Sequence, residues 1–281
     1  MAGVERRRFG ALAGDVAVVG QGTWQMGSDR AGAVRALRRG LDLGMTHIDT
    51  AEMYRGSEEH IAEAIAGRRG EVFLVSKVLP QNSSRKGTIA ACEQSLRRMR
   101  TDSLDVYLLH WRGGQPLAET VAGFEELERA GKIRAWGVSN FDVDDLEELR
   151  ALAPAGRPAC NQVLYHLEER AIEHDVLRWC AEHRAALVGY SPFGSGDFPD
   201  ARSAGGRALA EVARAHAATP RQIALAFLVR DPHAFAIPKS SSAAHVEENA
   251  GAAALRLTPD DVQRIERAFP RGRPRRTLPT L

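Results

Sequence analysis

Long apolar runs are missing from this 281-residue chain. No apolar stretch approaches the roughly 18 residues that a transmembrane helix needs, which excludes such a helix. The first ten residues, MAGVERRRFG, also lack the apolar region of a signal peptide. We therefore expect a cytoplasmic protein that does not bind membranes.

The chain also lacks a large excess of charge of either sign and an even set of cysteines that could all pair. The formal net charge is +2, so nothing in the composition attracts nucleic acid. The three cysteines, Cys92, Cys160 and Cys180, are odd in number and widely spaced. They predict free, buried thiols in a reducing compartment rather than a disulfide framework or a zinc site. Histidines at metal-ligand spacing are lacking too, so we expect no metal.

The glycine-rich turn of open dinucleotide-binding sheets is also lacking. In those folds GxGxxG follows the first strand and opens a helix. Residues 20–27, GQGTWQMG, do not continue in that way. A doubly wound open sheet therefore remains only as the structural alternative.

Short apolar segments alternate with longer amphipathic ones along the chain. Strands buried on both faces and separated by helices indicate a parallel sheet, and eight such units in this length suit a closed (β/α)₈ TIM barrel. We predict one domain over residues 1–281, with residues 6–19 as a small hairpin that closes the barrel's bottom. Ser57 and Thr219 are predicted as helix N-caps. The eight predicted strands are 16–20, 45–49, 72–78, 104–110, 133–139, 160–165, 185–191 and 235–239.

Polar residues stand at the carboxyl ends of the predicted strands, where a barrel carries its active site. In HIDTAEMY, Asp49 ends the second strand and Tyr54 follows in the loop. Lys77 ends the third strand and His110 the fourth. A lone ammonium is costly to bury, and Asp49 is the natural partner of Lys77. Only four of the 38 basic residues are lysines, yet both Lys77 and Lys239 stand at strand ends.

Together these residue types suggest proton donation to a carbonyl. A free phenol, with a pKa of ~10, is a poor acid at neutral pH, and a nearby cation lowers that pKa. We therefore predict that Lys77 lowers the pKa of Tyr54, that Asp49 holds Lys77, and that His110 hydrogen-bonds the substrate oxygen. Taken singly, each residue also fits a structural role, as a cap, a loop residue, a snorkelling lysine or a core histidine.

Seven segments in order resemble the aldo-keto reductase family over nearly the whole chain: HIDTAEMY, LVSKV, LDVYLLHW, GKIRAWGVSNF, NQVLYH, GYSPFGSG and IPKSSSAAHVEENA. The resemblance implies the (β/α)₈ barrel and a catalytic tetrad of Asp49, Tyr54, Lys77 and His110. It implies that NADPH gives a hydride to a small-molecule aldehyde or ketone while Tyr54 protonates the oxygen. We expect a monomer.

The resemblance also implies a set of cofactor and substrate contacts. Ser139, Asn140 and Gln162 would hold the nicotinamide carboxamide, with Tyr190 stacked on the ring. His245 stands where many members carry arginine, so we expect NADPH to be preferred over NADH less sharply than in those members. The remaining assignments are Ser191 and Gly194 at the pyrophosphate; Lys239, Ser240 and Ser241 at the 2′-phosphate; Glu248 and Asn249 at the adenine; and Trp24 and Trp111 in the substrate pocket, with Trp24 also at the cofactor.

Two functional alternatives stay open. A barrel of this kind could bind NADPH and serve as a regulatory subunit without turnover. A phosphate-binding barrel isomerase or lyase would bind no nicotinamide cofactor. Oxidation of NADPH by a panel of aldehydes tests the first alternative, and quenching of tryptophan fluorescence by NADPH tests the second.

Overall fold

Strands and α-helices alternate along the chain in this computed structural model, which describes residues 3–153, 158–275 and 277–281. The strands are β1 (Arg6–Arg8), β2 (Asp15–Ala17), β3 (Gln21–Gly22), β4 (His47–Asp49), β5 (Phe73–Val78), β6 (Leu104–Leu109), β7 (Ile133–Ser139), β8 (Cys160–Leu164), β9 (Ala186–Tyr190) and β10 (Ala234–Ala236). The helices are α1 (Arg30–Asp42), α2 (Ser57–Ala64), α3 (Arg85–Met99), α4 (Leu117–Arg129), α5 (Val143–Leu152), α6 (Val176–Glu182), α7 (Ala204–Ala215), α8 (Pro220–Leu228), α9 (Ala243–Ala252) and α10 (Pro259–Ala268).

Strands β3 to β10 form one parallel sheet that closes on itself. Each strand pairs with the next one in chain order. Between the first and last strands, the Gly20 amide donates to the Ala236 carbonyl at 2.8 Å, and the Ala236 amide donates to the Val18 carbonyl at 2.9 Å. A parallel bridge between Gly22 and Lys239 continues this pairing. The predicted (β/α)₈ barrel is confirmed, and the open-sheet alternative is wrong.

The first barrel strand lies later in the chain than predicted. Residues 16–20 were expected to form it, but residues 15–17 are β2 of the N-terminal hairpin and the barrel begins at β3. All residues from 16 to 23 are buried. Because the hairpin packs against the barrel, the buried stretch runs through both elements, and hydrophobicity alone cannot locate the boundary between them.

The predicted hairpin is present and closes the amino-terminal end of the barrel. Its two strands, β1 and β2, pair in antiparallel register. Phe9, which follows β1, is fully buried. Its ring centroid lies 5.7 Å from that of His47, 4.8 Å from Phe73 and 5.0 Å from Phe235. These three residues lie at or next to the starts of β4, β5 and β10, so only the carboxyl ends of the strands are left open for a site.

The two predicted N-caps have different outcomes. Thr219 caps α8 as predicted: its Oγ1 accepts from the Gln222 amide at 3.2 Å, and Gln222 Oε1 accepts from the Thr219 amide at 3.0 Å. The prediction for Ser57 is wrong, because Gly56, with φ of 71°, occupies the cap position. Ser57 Oγ instead donates to the Thr23 carbonyl at 2.8 Å, which ties α2 to the loop after β3. Within the described ranges, no helix is long and apolar enough to cross a membrane.

Stability is expected to fall in mild acid because of His47. Burial lowers the pKa of His47 to about 4, whereas an unfolded histidine has a pKa of ~6.5. Between these values the unfolded chain binds a proton that the folded chain does not. The contribution of the neutral His47 to the free energy of unfolding is therefore fully present above pH ~6.5. It is lost as the pH falls toward 4, by up to ~1.4 kcal/mol per pH unit. Urea unfolding at pH 7 and pH 5 should show this loss, and His47→Leu should reduce it. An unchanged pH dependence in His47→Leu would contradict this account.

Candidate active site

A cavity of about 510 Å³ opens at the carboxyl ends of the barrel strands. Its volume lies within the range of small-molecule sites. Asp49, Tyr54 and His110 line it, and Lys77 is fully buried next to Asp49. The other predicted site residues in its wall are Trp24, Trp111, Ser139, Asn140, Gln162, Tyr190, Ser191 and Lys239.

A buried ion pair joins the ends of β4 and β5. Lys77 Nζ donates to Asp49 Oδ1 at 2.6 Å and to the Thr50 carbonyl at 2.7 Å. Asp49 lies opposite Val75 in the register of these strands, and Lys77 follows Val75 by two residues, which places both side chains on the inner face. The side chains are 2% and 0% exposed, so each charge depends on the other for compensation.

Gln162 completes the hydrogen bonding of Asp49 from across the barrel. Its Nε2 donates to Asp49 Oδ2 at 2.7 Å, and the two residues are 113 positions apart in sequence. The sequence predicted a different role for this residue, as a partner of the cofactor. Because Asp49 accepts from both Lys77 and Gln162, its carboxylate is fixed in orientation.

Tyr54 lies beside this pair with its ring close to the ammonium group. Lys77 Nζ is 5.1 Å from the centroid of the Tyr54 ring. Burial raises the pKa of the Tyr54 hydroxyl, and the charge of Lys77 opposes this only in part, so the pKa is raised overall. The expected lowering is therefore wrong in its net direction, since burial outweighs the cation. At neutral pH the side chain is an uncharged phenol that holds a proton to donate.

Lys77 remains charged despite its burial. Burial lowers the pKa of the Lys77 ammonium, but Asp49 and Tyr54 raise it by more, and the overall pKa is raised. The ion pair therefore persists at neutral pH.

His110 is uncharged and faces Tyr54. Burial, followed by the charge of Lys77, lowers the pKa of His110 to about 2. Its ring meets that of Tyr54 edge to face, with centroids 5.7 Å apart, and lies 4.8 Å from Trp111. A neutral imidazole carries one N–H and can donate one hydrogen bond. The cavity therefore contains two uncharged donors, a phenol and an imidazole, next to one another.

Asn140 connects the ends of three strands in the cavity wall. Its Nδ2 donates to the His110 carbonyl at 3.1 Å and to Ser139 Oγ at 3.2 Å. Its Oδ1 accepts from the Tyr190 hydroxyl at 2.9 Å. Ser139 Oγ in turn donates to the Gln162 carbonyl at 2.8 Å. Asn140 has a φ of 62°, a left-handed conformation that asparagine tolerates better than most residues.

A second cavity of about 270 Å³ adjoins the first through Lys239, which lines both. Between them runs the loop after β9, in which Ser191, Gly194, Ser195 and Gly196 all have positive φ. Turns of this kind direct backbone N–H groups outward and suit anions. The second cavity is lined by Phe193, Gly196, Phe198, Arg221, Lys239, His245, Glu248 and Asn249.

The residues that line the two cavities differ in part from the site residues predicted from the sequence. Gly194, Ser240 and Ser241 line neither cavity, and Ser240 Oγ is engaged with the Ser242 carbonyl and amide. Glu248 lines the second cavity, but its Oε1 also accepts from Thr219 Oγ1 at 2.5 Å. The lining residues that the sequence did not single out are Gly22, Thr23, Met53, Arg112, Ile237, Thr280 and Leu281 in the first cavity and Phe193, Gly196, Phe198 and Arg221 in the second.

Comparison with known proteins gives concordant matches over nearly the whole chain. The model of the Aldo/keto reductase family matches residues 18–269. The chain is 44% identical over 266 residues to methylglyoxal reductase YeaE of Escherichia coli (strain K12), a match that covers 92% of this chain and 94% of that protein. It is 32% identical over 237 residues to glyoxal reductase of Bacillus subtilis (strain 168), covering 83% and 82%. The solved structure of an aldo-keto reductase from Klebsiella pneumoniae in complex with NADPH has a TM-score of 0.93 at 42% identity and covers 100% of both chains.

Proposed function

Since the chain belongs to the aldo/keto reductase family, we propose that it reduces small aldehydes and ketones to alcohols with NADPH. The observation that carries this proposal is the arrangement at the base of the first cavity. A buried Asp49–Lys77 pair lies next to an uncharged phenol, Tyr54, and an uncharged imidazole, His110. Two neutral donors beside one fixed cation suit a carbonyl oxygen that gains negative charge and then a proton.

The two cavities share Lys239 in their walls, and together they would accommodate an elongated dinucleotide. Ser139, Gln162 and Tyr190 would hold the nicotinamide end beside Tyr54, and the loop with positive φ would meet the pyrophosphate. Lys239 and His245 would meet the 2′-phosphate in the second cavity. When bound, NADPH supplies the hydride that goes to the carbonyl carbon.

The chain's own residues then perform the proton chemistry. Tyr54 donates its proton to the carbonyl oxygen, and the fixed ammonium of Lys77 stabilises the phenolate that is left. Asp49 holds Lys77, while Gln162 holds Asp49. His110 donates a hydrogen bond that aligns the substrate oxygen with Tyr54. Lys77, Asp49 and Gln162 are already hydrogen-bonded to one another, so this electrostatic environment exists before the substrate arrives.

The mouth of the cavity favours small carbonyl compounds with an apolar side. Trp24, Met53 and Trp111 are partly exposed there and present apolar surface. Thr280 and Leu281 reach the same wall from the end of the chain. The similarity to a methylglyoxal reductase and a glyoxal reductase supports including dicarbonyl compounds among the candidate substrates.

The proposal is tested by NADPH oxidation with a panel of aldehydes, ketones and dicarbonyls, run in parallel with NADH. We expect turnover with at least one aldehyde or dicarbonyl, and faster turnover with NADPH. Tight binding of NADPH without turnover on any compound would support a regulatory role instead. Failure to bind either cofactor would overturn the proposal.

A further inference from the structure

Arg221 is a cation of the second cavity without an acidic partner. It is the second residue of α8, is exposed, and lines the cavity with Lys239 and His245. Among the described residues its guanidinium forms no ion pair, whereas Arg230, just beyond the other end of that helix, pairs with Glu173 at 3.0 Å. A charge without a partner at the wall of a cavity is available to a ligand.

Two aromatic rings hold the Arg221 guanidinium at the cavity. Its Cζ lies 4.5 Å from the centroid of the Phe198 ring and 5.7 Å from that of Phe193. These rings pack edge to face, 5.8 Å apart, and both line the same cavity. A guanidinium stacked on an aromatic face keeps its N–H groups free at the rim of its plane. The stack therefore fixes the side chain and leaves its donors for an anion.

The other charged and titratable side chains of the second cavity offer few well-aimed hydrogen-bond donors to an anion. Lys239 is a point charge without the planar fork of arginine, and burial lowers the pKa of its ammonium. His245 has at most one well-aimed donor. Glu248, the acid in the cavity wall, is held by Thr219. A 2′-phosphate in this cavity would thus meet one lysine and one histidine unless Arg221 contributes.

We propose that Arg221 binds the 2′-phosphate of NADPH. Its planar guanidinium supplies the pair of hydrogen-bond donors that the His245 imidazole cannot supply. This inference rests on the proposed function and adds to it the residue that sets the choice between the two cofactors. Arg221 and His245 come from different helices, α8 and α9, so the arginine approaches the phosphate from another side of the cavity. The preference for NADPH then does not depend on His245 alone.

The rival role for Arg221 is stacking on the adenine. Adenine is common to NADPH and NADH, so a stacking role would affect both cofactors to the same extent. A contact with the 2′-phosphate affects NADPH alone. The ratio of the two dissociation constants separates these roles.

The test is a titration of each variant with NADPH and NADH, followed by quenching of tryptophan fluorescence. Arg221→Met keeps much of the aliphatic stem and removes the charge, whereas Arg221→Lys keeps the charge and removes the fork. One charge-assisted hydrogen bond corresponds to a loss of about tenfold or more in affinity. We expect Arg221→Met to weaken NADPH binding by about that factor without changing NADH binding. The NADPH dissociation constant of Arg221→Lys should lie between those of Arg221→Met and the wild type. Arg214→Met, an exposed arginine on α7 that lines neither cavity, is the matched control and should change nothing.

The outcomes are separable. Equal weakening of NADPH and NADH in Arg221→Met would assign Arg221 to the adenine and overturn the inference. Unchanged binding of both, in a variant with a wild-type melting temperature, would also overturn it while the proposed function stands. A wild-type protein that does not bind NADPH would overturn both.

Discussion

Tyr54→Phe is expected to abolish most carbonyl reduction and to leave NADPH binding in place. The substitution removes the hydroxyl that donates the proton and keeps the ring that lines the cavity. Positioned acid–base groups contribute about 10²–10⁴-fold to rate, and the loss of turnover should lie in that range. The measurement is kcat with the best substrate of the panel, beside the NADPH dissociation constant.

A matched tyrosine controls for the loss of a buried hydroxyl. Tyr107 on β6 is fully buried and lines neither cavity, and its hydroxyl has no hydrogen-bond partner among the described residues. Tyr107→Phe should therefore keep wild-type turnover. Near wild-type kcat in Tyr54→Phe, or an equal loss in both variants, would mean that Tyr54 is not the proton donor.

Lys77→Met is expected to reduce both turnover and stability. Lys77 opposes the rise in the pKa of Tyr54, so its removal should make Tyr54 a weaker acid and leave its phenolate without a cation. It also leaves Asp49 as an uncompensated buried charge. Breaking a buried pair by removing one partner costs about 3–5 kcal/mol of unfolding free energy. Turnover and urea unfolding are measured on the same preparations.

A second variant separates the two effects of Lys77→Met. Asp49→Leu combined with Lys77→Met removes both charges and fills the space with apolar groups, a change that is often neutral for stability. We expect this double variant to recover stability but not turnover. Lys132→Met, at a half-exposed lysine that pairs with Glu93, controls for the loss of a lysine outside the cavities. A stable double variant with wild-type turnover would show that the ion pair serves the fold alone.

The barrel could be predicted because its signal is local and repeated. Each strand from β4 to β10 is an apolar segment followed by a helical stripe, and closure follows from the number of units. The start of the barrel could not be predicted in the same way. Val18 and Val19 are buried between β2 and β3. The Val18 amide donates to the Glu5 carbonyl, next to the hairpin strand β1, whereas the Val18 carbonyl accepts from the Ala236 amide of the barrel strand β10. Only these backbone partners show where the hairpin passes into the barrel.

The candidate site was predictable where residues follow strands directly. Asp49, Tyr54 and His110 meet in the first cavity because parallel strands bring their carboxyl ends together. Contacts between distant segments left no pattern in the sequence. The bond from Gln162 to Asp49 is one example, and the position of Arg221 at the second cavity is another. The net pKa shift of Tyr54 also depends on how completely the ring is buried, which spacing does not reveal.

The most direct test of the proposed reaction follows the hydride into the product. Wild-type protein is given NADPH labelled with deuterium at the transferred position of C4, together with the best aldehyde of the panel, and the alcohol is analysed by mass spectrometry. Our account predicts one deuterium on the carbinol carbon, because the carbon receives the hydride while Tyr54 delivers an exchangeable proton to the oxygen. The two hydrogen positions on C4 are labelled in separate experiments. If neither label appears on the carbinol carbon of the alcohol, the account is contradicted.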